Sequence, residues 1–278
     1  MFPSSNDEAK VRRLKLTLAY DGTDFCGWQF QPKLRTVQGE LEKAVAVITG
    51  VPVRAHGSGR TDSGVHARGQ VVHLDLPETR ISVPWQKALN SLLPDDVTVL
   101  DVAYVDDDFH SRFSAVEKCY TYSLWIENSF LLPWRRQYVW KCGPLDFDAL
   151  DQAMEYFLGV HDFAAFQNAG TEVSSTVRNI LDFKRRPGES EHEIILEVVG
   201  TGFLKQMVRN MVGCLVKIAR GKEDPSFVRS LLEMKDRTLA PATAPARGLC
   251  LDHVYYGEVD RGGPDSGRNK PDKNGHGQ

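Results

Sequence analysis

Several features that would assign this chain to a common class of protein are missing from its sequence. No apolar run approaches the length of a membrane span, and the first ten residues are polar, without the apolar core of a signal peptide. The five cysteines are odd in number and show no C-x-x-C spacing, which argues against a disulfide scaffold and a thiolate metal site. We therefore expect a reduced, cytoplasmic protein that is not attached to a membrane.

Sequence motifs for common cofactors are missing as well. There is no P-loop, no G-x-G-x-x-G and no H-E-x-x-H. His56, His66 and His73 lie near one another in the sequence, but two of them fall in predicted strands without metal-ligand spacing. We predict no metal site.

The charge is modest overall but unevenly distributed. The formal net charge is −3 and the isoelectric point is about 6.3. Residues 203–222 nevertheless carry five lysines and arginines and no acid, and residues 54–70 carry three arginines against the single acid Asp62. The acids gather in 95–108 and 146–172. A mildly acidic protein with one basic face can bind phosphates through that face. The net charge therefore does not exclude a nucleic-acid partner.

Hydrophobic periodicity predicts the order β-α-β-β-α-β twice along the chain. The first set comprises strands 11–20, 51–56, 70–76 and 97–105 with helices 36–49 and 82–93. The second comprises strands 117–126, 175–185, 191–199 and 248–256 with helices 147–158, 204–220 and 226–234. The predicted fold is α+β, with two ferredoxin-like halves that form one mixed or antiparallel sheet with helices on one side and a cleft where the halves meet.

This order also predicts the domain limits. We expect a flexible N-terminus over 1–10, an N-terminal half over 11–107 that carries the loop around Asp62, and a C-terminal half over 108–259. Residues 260–278 are mostly Gly, Pro, Asp, Lys, Arg and Asn, with almost nothing apolar, a composition that predicts a disordered tail.

The most informative segment is the glycine-rich loop at 57–68, Gly-Ser-Gly-Arg-Thr-Asp-Ser-Gly-Val-His-Ala-Arg. Thr-Asp-Ser-Gly alone is ordinary turn chemistry, but twelve residues exceed what a hairpin needs. Glycines free Asp62 from regular structure, and Arg60 lies within reach of it in the sequence. A guanidinium at hydrogen-bond distance keeps a carboxylate ionised and orients it, as a carboxylate nucleophile requires.

The helix predicted at 204–220 has a core-facing stripe and a second, basic face. Apolar residues recur at helical spacing from Leu204 to Val216. Lys205, Arg209, Gly213 and Lys217 follow at four-residue intervals on another face, and such basic faces are most often simply solvated. No acid accompanies them at i±4, and Arg209 borders the apolar stripe. We therefore propose Asp62 as the partner of Arg209.

The loop and further segments resemble the tRNA pseudouridine synthase A (TruA) family. The resemblance begins with Gly-Arg-Thr-Asp-x-Gly-Val-His-Ala at 59–67 and extends, in the family's order, over residues 11 to 256. The other matching segments are 20–23, 25–29, 36–41, 109–115, 118–122, 202–204, 207–210 and 244–249. Ser111 stands where the family pattern has a small alanine, and the tail from Asp260 has no counterpart.

The resemblance implies an isomerase that converts uridine to pseudouridine at positions 38, 39 and 40 in the anticodon arm of tRNA. It also implies a homodimer and no cofactor. Asp62 then matches the catalytic aspartate, Tyr120 the tyrosine that stacks on the target base, and Arg60 and Arg209 basic residues of the active site. Leu249, in the last matching segment, is carried over as a substrate-binding residue. We further assign Arg68 and Lys205, with Lys217 and Arg220, to the tRNA backbone.

The residues fit this chemistry but leave several points open. The reaction breaks a C–N glycosidic bond and rejoins C1′ to C5, so one carboxylate suffices where a glycosidase usually needs two. Asp62 adds to C1′ or abstracts a sugar proton to give a glycal, and the sequence does not decide between the two. Tyr120 and Tyr122 lie on one face of a strand and cannot be told apart without the family match. A non-catalytic RNA-binding protein, a nucleoside glycosidase and a pseudouridine synthase for another RNA remain the competing hypotheses.

Overall fold

The structure, a computed structural model, describes residues 11–168, 170 and 173–257. The predicted flexible N-terminus, 1–10, and the predicted tail, 260–278, lie outside the described residues. Within the described ranges the chain forms ten strands and five α-helices. The strands are β1 Val11–Tyr20, β2 His56–Gly57, β3 His66–Pro77, β4 Val97–Val105, β5 Ala115–Trp125, β6 Trp140–Lys141, β7 Gly159–Asp162, β8 Val177–Pro187, β9 Glu193–Gly200 and β10 Leu249–Tyr256. The helices are α1 Val37–Thr49, α2 Trp85–Asn90, α3 Phe147–Glu155, α4 Met207–Ala219 and α5 Phe227–Met234.

All ten strands belong to one mixed sheet. Its order is β4-β1-β3-β10-β5-β9-β8-β7, with β2 on β3 and β6 on β5. The strands β4-β1-β3-β2 and β10-β5-β9-β8 each have the order of a ferredoxin-like unit, which confirms the predicted fold class. The two units join where β10 runs parallel to β3 and antiparallel to β5. The sheet is continuous across this joint, so the domain limit between 107 and 108 stays a prediction.

Most predicted elements are present, and local chemistry explains the shifted boundaries. The strand predicted at 51–56 is reduced to β2, because Pro52 has no N–H for a ladder. Helix α2 begins at Trp85 rather than at residue 82, since Val83 precedes Pro84 and is disfavoured in the α conformation. Helix α4 begins at Met207 instead of Leu204, because Gln206 adopts a left-handed φ of 61°. The short strands β6 and β7 were not predicted.

The apolar stripe on α4 packs into the core as predicted. Its members are all buried, namely Leu204, Met207, Val208, Met211, Val212, Leu215 and Val216. The basic face of the helix is partly covered, because the segment around Ala242 crosses it at Gly213. A Cβ on Gly213 would lie 2.2 Å from the carbonyl oxygen of Ala242. Helix α4 is therefore packed against other segments on both sides, with Arg209 at its N-terminal end.

No helix in the described ranges has both the length and the apolar character needed to cross a membrane.

Candidate active site

The loop that carries Asp62 is fixed to its surroundings by backbone hydrogen bonds. The Trp28 N–H donates to the carbonyl oxygen of Thr61 at 3.1 Å, and the Val65 N–H donates to that of Asp62 at 3.1 Å. Gly27 has a φ of +84°, and a Cβ there would lie 2.5 Å from the Thr61 oxygen, so this approach requires glycine. The Thr61 side chain also hydrogen-bonds the buried Tyr20 hydroxyl at 2.8 Å. The backbone on both sides of Asp62 is thus held in place.

The Asp62 carboxylate pairs with Arg209, as the sequence predicted. Arg209 Nη1 lies 3.3 Å from Asp62 Oδ2, with the arginine side chain 14% exposed and the aspartate 25%. Arg209 Nε donates to the carbonyl oxygen of Ala244 at 2.8 Å, and the Arg209 carbonyl accepts from the Ala244 N–H. The guanidinium is therefore fixed on one side by backbone and presents the other side to the carboxylate. Such a partner holds a carboxylate in one orientation.

Arg60 does not make the contact with Asp62 that the loop sequence suggested. Its side chain is exposed, and within the described ranges it makes no hydrogen bond, ion pair or ring contact. The guanidinium beside Asp62 comes instead from Arg209, which is distant in the chain. Arg60 is thus a free cation two residues from the carboxylate.

The structure distinguishes the two tyrosines of β5. Both point into the same face of the sheet and are buried, but the Tyr122 hydroxyl donates to the carbonyl oxygen of Pro245 at 2.7 Å. The Tyr120 hydroxyl makes no hydrogen bond with any described residue, and its ring meets Phe203 edge-on at 5.1 Å. Burial and the negative charge of Asp62 raise the pKa of Tyr120, so its phenol stays protonated at neutral pH.

The remaining predicted site residues differ in their exposure and in the partners of their side chains. Lys205 is exposed, and its ammonium has no partner among the described residues. The Arg68 side chain is 59% exposed, 3.5 Å from Asp252. Leu249 is buried at the start of β10, opposite Tyr122 of β5.

Two of the cations assigned to the tRNA backbone have partners inside the fold. Lys217 Nζ lies 2.8 Å from Glu223 Oε1, and Arg220 donates to the carbonyl oxygen of Cys142 through Nε and Nη2. The sequence showed no acid at i±4 of Lys217, but Glu223 reaches it from beyond the helix end. The basic stripe of the helix is therefore largely used within the fold.

Comparisons with known proteins decide the family. A family model described as tRNA pseudouridine synthase matches residues 17–114 and 153–257, more than half of the chain. The chain belongs to the tRNA pseudouridine synthase family. A protein named tRNA pseudouridine synthase A from Maridesulfovibrio salexigens is 70% identical over 261 residues, which are 94% of this chain and 96% of the relative.

More distant relatives carry the same name. One from Solidesulfovibrio magneticus is 55% identical over 252 residues, 89% of this chain and 92% of the relative. One from Latilactobacillus sakei is 45% identical over 248 residues, 88% of this chain and 99% of the relative. The expected family is thereby confirmed, and with it the class of enzyme, an isomerase.

The synthase contains a hydrogen-bond network behind the Asp62 loop that the sequence analysis did not identify. Tyr138 donates to Asp21 Oδ2 at 2.5 Å, and the Gly22 N–H donates to His66 Nδ1 at 3.0 Å. Burial alone would raise the pKa of Asp21, but hydrogen bonds from Thr23 and Tyr138 lower it below its ordinary value. Asp21, His66 and Tyr138 line a cavity of about 360 Å³, and Asp62 is not among its lining residues. The network ties the start of β3 to the end of β1.

A histidine cluster lies beside β2, and only two of its members were considered from sequence. The possible ligand atoms of His56, His73 and His110 lie within 4.8 Å of one another. His110 Nδ1 faces the N–H groups of Arg112 and Phe113, and His73 Nδ1 faces that of Ser111. An imidazole that accepts at Nδ1 carries its proton on Nε2 and has no lone pair left for a metal. The rings stack and tilt against one another instead.

Proposed function

We propose that this synthase converts uridine to pseudouridine at positions 38, 39 and 40 in the anticodon arm of tRNA, with Asp62 as the group that acts at the sugar carbon C1′. The observation that carries the proposal is the Asp62–Arg209 pair, 3.3 Å long and partly open to solvent, in a chain of this family. Tyr120 lies on the facing strand with a free hydroxyl, and the negative charge of Asp62 acts on it.

The chemistry requires one charged carboxylate in a fixed position. The N1–C1′ bond breaks, the uracil turns, a C1′–C5 bond forms, the C5 proton leaves and N1 gains a proton. No electron is gained or lost overall. Adding to C1′ and abstracting a sugar proton both need the ionised form of Asp62, and the Arg209 guanidinium orients this carboxylate. Because Arg209 is itself fixed on Ala244, the carboxylate is oriented before substrate arrives.

The target nucleotide has to leave the stem-loop before Asp62 can reach C1′. Arg60 is exposed and has no partner among the described residues, so it can occupy the position that the nucleotide leaves in the stem-loop or bind a phosphate. Tyr120 offers a ring for the extruded base, and Leu249 lines the same region of the sheet. The raised pKa of Tyr120 favours the ring and a hydroxyl donor over a phenolate that takes the C5 proton. Arg68 and Lys205 are the exposed cations assigned to the RNA backbone.

The proposal includes a homodimer and a cytoplasmic location, for which the family is the support. A dimer lets one tRNA contact both subunits. Light scattering at micromolar protein tests this part by itself, and a monomer there contradicts it.

The position specificity is tested with anticodon stem-loops that each carry one uracil labelled with tritium at C5. Isomerisation releases the label to water. We expect release from RNAs labelled at position 38, 39 or 40 and none from an RNA labelled elsewhere in the loop. Release from an unrelated RNA alone favours a synthase for another substrate, and tight binding without release favours an RNA-binding protein.

A further inference from the structure

Lys118, on β5, has an ammonium with an incomplete set of partners. Its Nζ donates to the carbonyl oxygen of Ser58 at 2.6 Å. An ammonium has three N–H donors, and the described residues supply no second acceptor. The side chain is only partly exposed, so two donors face a space with limited access to water.

The charges around Lys118 are also unbalanced. No carboxylate of the described residues lies within ion-pair distance of Nζ, and the charged neighbour that acts on it is another cation, Arg112. Burial, followed by the charge of Arg112, lowers the pKa of Lys118 to about 8. Charges withdrawn from water are normally paired, but the ammonium of the partly buried Lys118 has no anion among the described residues and feels the positive charge of Arg112. This arrangement is suited to an anionic ligand.

The space in front of the ammonium is kept open by a glycine. A Cβ on Gly59 would lie 3.3 Å from Lys118 Nζ and 4.0 Å from the Tyr120 hydroxyl. Lys118 and Tyr120 are two residues apart on a strand, so their side chains share a face. Gly59 directly precedes the exposed Arg60. Lys118 is thus next to the two residues that the proposed function assigns to the target nucleotide.

We propose that Lys118, with the positive charge of Arg112 acting on it, binds a phosphodiester group adjacent to the extruded uridine. The inference rests on the proposed function for the identity of the RNA. A nucleotide whose C1′ reaches Asp62 brings its own flanking phosphates with it, and they are the anions closest to this site. Lysine binds phosphate as a point charge, without the planar geometry that an arginine fork needs.

The nearest competing role for Lys118 is structural. Its bond to Ser58 anchors the segment before Arg60, and a Lys118→Met variant loses this anchor together with the charge. A loss of affinity alone does not distinguish the two roles. The test must therefore measure whether the effect of substituting Lys118 depends on one particular phosphate. Lys43→Met is a matched control, because Lys43 is an exposed lysine on α1 whose contact is a surface pair with Glu40.

The experiment measures the Kd of a series of stem-loops, each with one neutral methylphosphonate linkage, in the catalytically silent Asp62→Asn background. With Lys118 present, we expect neutralising one linkage beside the target uridine to weaken binding about tenfold. With Lys118→Met the same linkage should have no further effect, and the slope of log K against log salt should fall by about one. Lys43→Met should leave the response to every linkage unchanged.

A second measurement uses a variant that keeps the charge. Lys118→Arg stays protonated at pH 9, whereas the lysine loses its proton as the pH rises through 8 in the free protein. Tyr120 and Tyr256 face the same region and stay neutral, because burial raises the pKa of both. Between pH 7 and 9 the affinity should fall about tenfold more with Lys118 than with arginine at this position.

The outcomes separate this inference from the proposed function. If no linkage couples to Lys118, and lysine and arginine show the same pH dependence, the phosphate contact is wrong and the structural role stands. If coupling is found but the wild-type enzyme releases no tritium from any stem-loop, the proposed function is wrong and the phosphate contact stands.

Discussion

Arg209 Nη1 lies 3.3 Å from Asp62 Oδ2, although the two residues are 147 positions apart in the chain. One belongs to a loop of the N-terminal half and the other to the first turn of α4 in the C-terminal half. The carboxylate and its cation therefore meet only when both halves are folded against each other. This contact places the candidate active site at the joint of the sheet.

The first prediction concerns the shape of the Arg209 side chain. Lysine at this position keeps the charge but loses the donor to Ala244, so the cation is no longer fixed beside Asp62. We expect Arg209→Lys to lower kcat roughly 10²-fold, the size of effect that follows from misplacing a catalytic group, with RNA affinity nearly unchanged. Single-turnover kinetics measure this. Arg185→Lys is the control, because Arg185 forms a comparable pair with Asp151 away from the site.

The second prediction compares the tyrosines of β5. Tyr122→Phe leaves the Pro245 carbonyl without its donor and should lower the free energy of unfolding by about 1–2 kcal/mol. Tyr120→Phe removes a hydroxyl that makes no hydrogen bond in the described ranges, so the stability should change by less than about 0.5 kcal/mol. Urea denaturation measures both. Equal losses, or a larger loss for Tyr120→Phe, would mean that the two hydroxyls are not used as described.

The third prediction concerns Gly213, where α4 is crossed by the segment around Ala242. Alanine is normally favoured over glycine inside a helix by about 1 kcal/mol. Here its Cβ would lie 2.2 Å from a backbone oxygen, so we expect Gly213→Ala to destabilise the protein by roughly 2 kcal/mol. The displaced segment includes Ala244, so tritium release should fall as well. A stabilised Gly213→Ala variant would contradict this packing.

The fourth prediction is a pH dependence of stability from the buried His73. Burial, and then the charges of His110, His56 and Arg13, lower its pKa from 6.5 to about 4, while Asp75 opposes them. Below pH 6.5 the unfolded chain binds a proton that the native state does not bind until about pH 4. The free energy of unfolding should therefore fall across this window as the pH falls, by roughly 3 kcal/mol at most.

His73→Gln tests this assignment. Urea denaturation at pH 7.5 and 4.5 gives the change in stability, which should be clearly smaller in the variant than in the wild type. His110, whose pKa is also lowered, contributes part of what remains. An unchanged difference between the two pH values would show that His73 is not the group responsible.

Much of the fold could be predicted from the sequence because its signals are local. The alternation along β1 and the capping residues Thr36 and Gly50 around α1 set these elements nearly to the residue. The predicted boundaries were wrong where a single residue overrides the pattern, as at Pro52 and at Gln206 with its left-handed φ. Such effects depend on local backbone geometry, which hydrophobic periodicity does not reveal.

The candidate site was predicted in part for the same reason. The loop around Asp62 and the border position of Arg209 were visible as patterns, and their pairing follows. The internal contacts of Lys217 and Arg220 could not be predicted, because their partners, Glu223 and the Cys142 carbonyl, belong to other segments. Lys118 was missed because a lysine two residues before Tyr120 has no distinguishing sequence signal. Its proposed role follows only from the positions of Ser58, Gly59 and Arg112 in the folded chain.

The most direct test of the central claim compares tritium release by the wild type and Asp62→Asn, with RNA binding measured alongside. Asp95→Asn is the matched control, because Asp95 lines the separate cavity. We predict full release with the wild type and with Asp95→Asn, and none with Asp62→Asn at retained RNA affinity. Release by Asp62→Asn at the wild-type rate would show that this carboxylate does not perform the isomerisation.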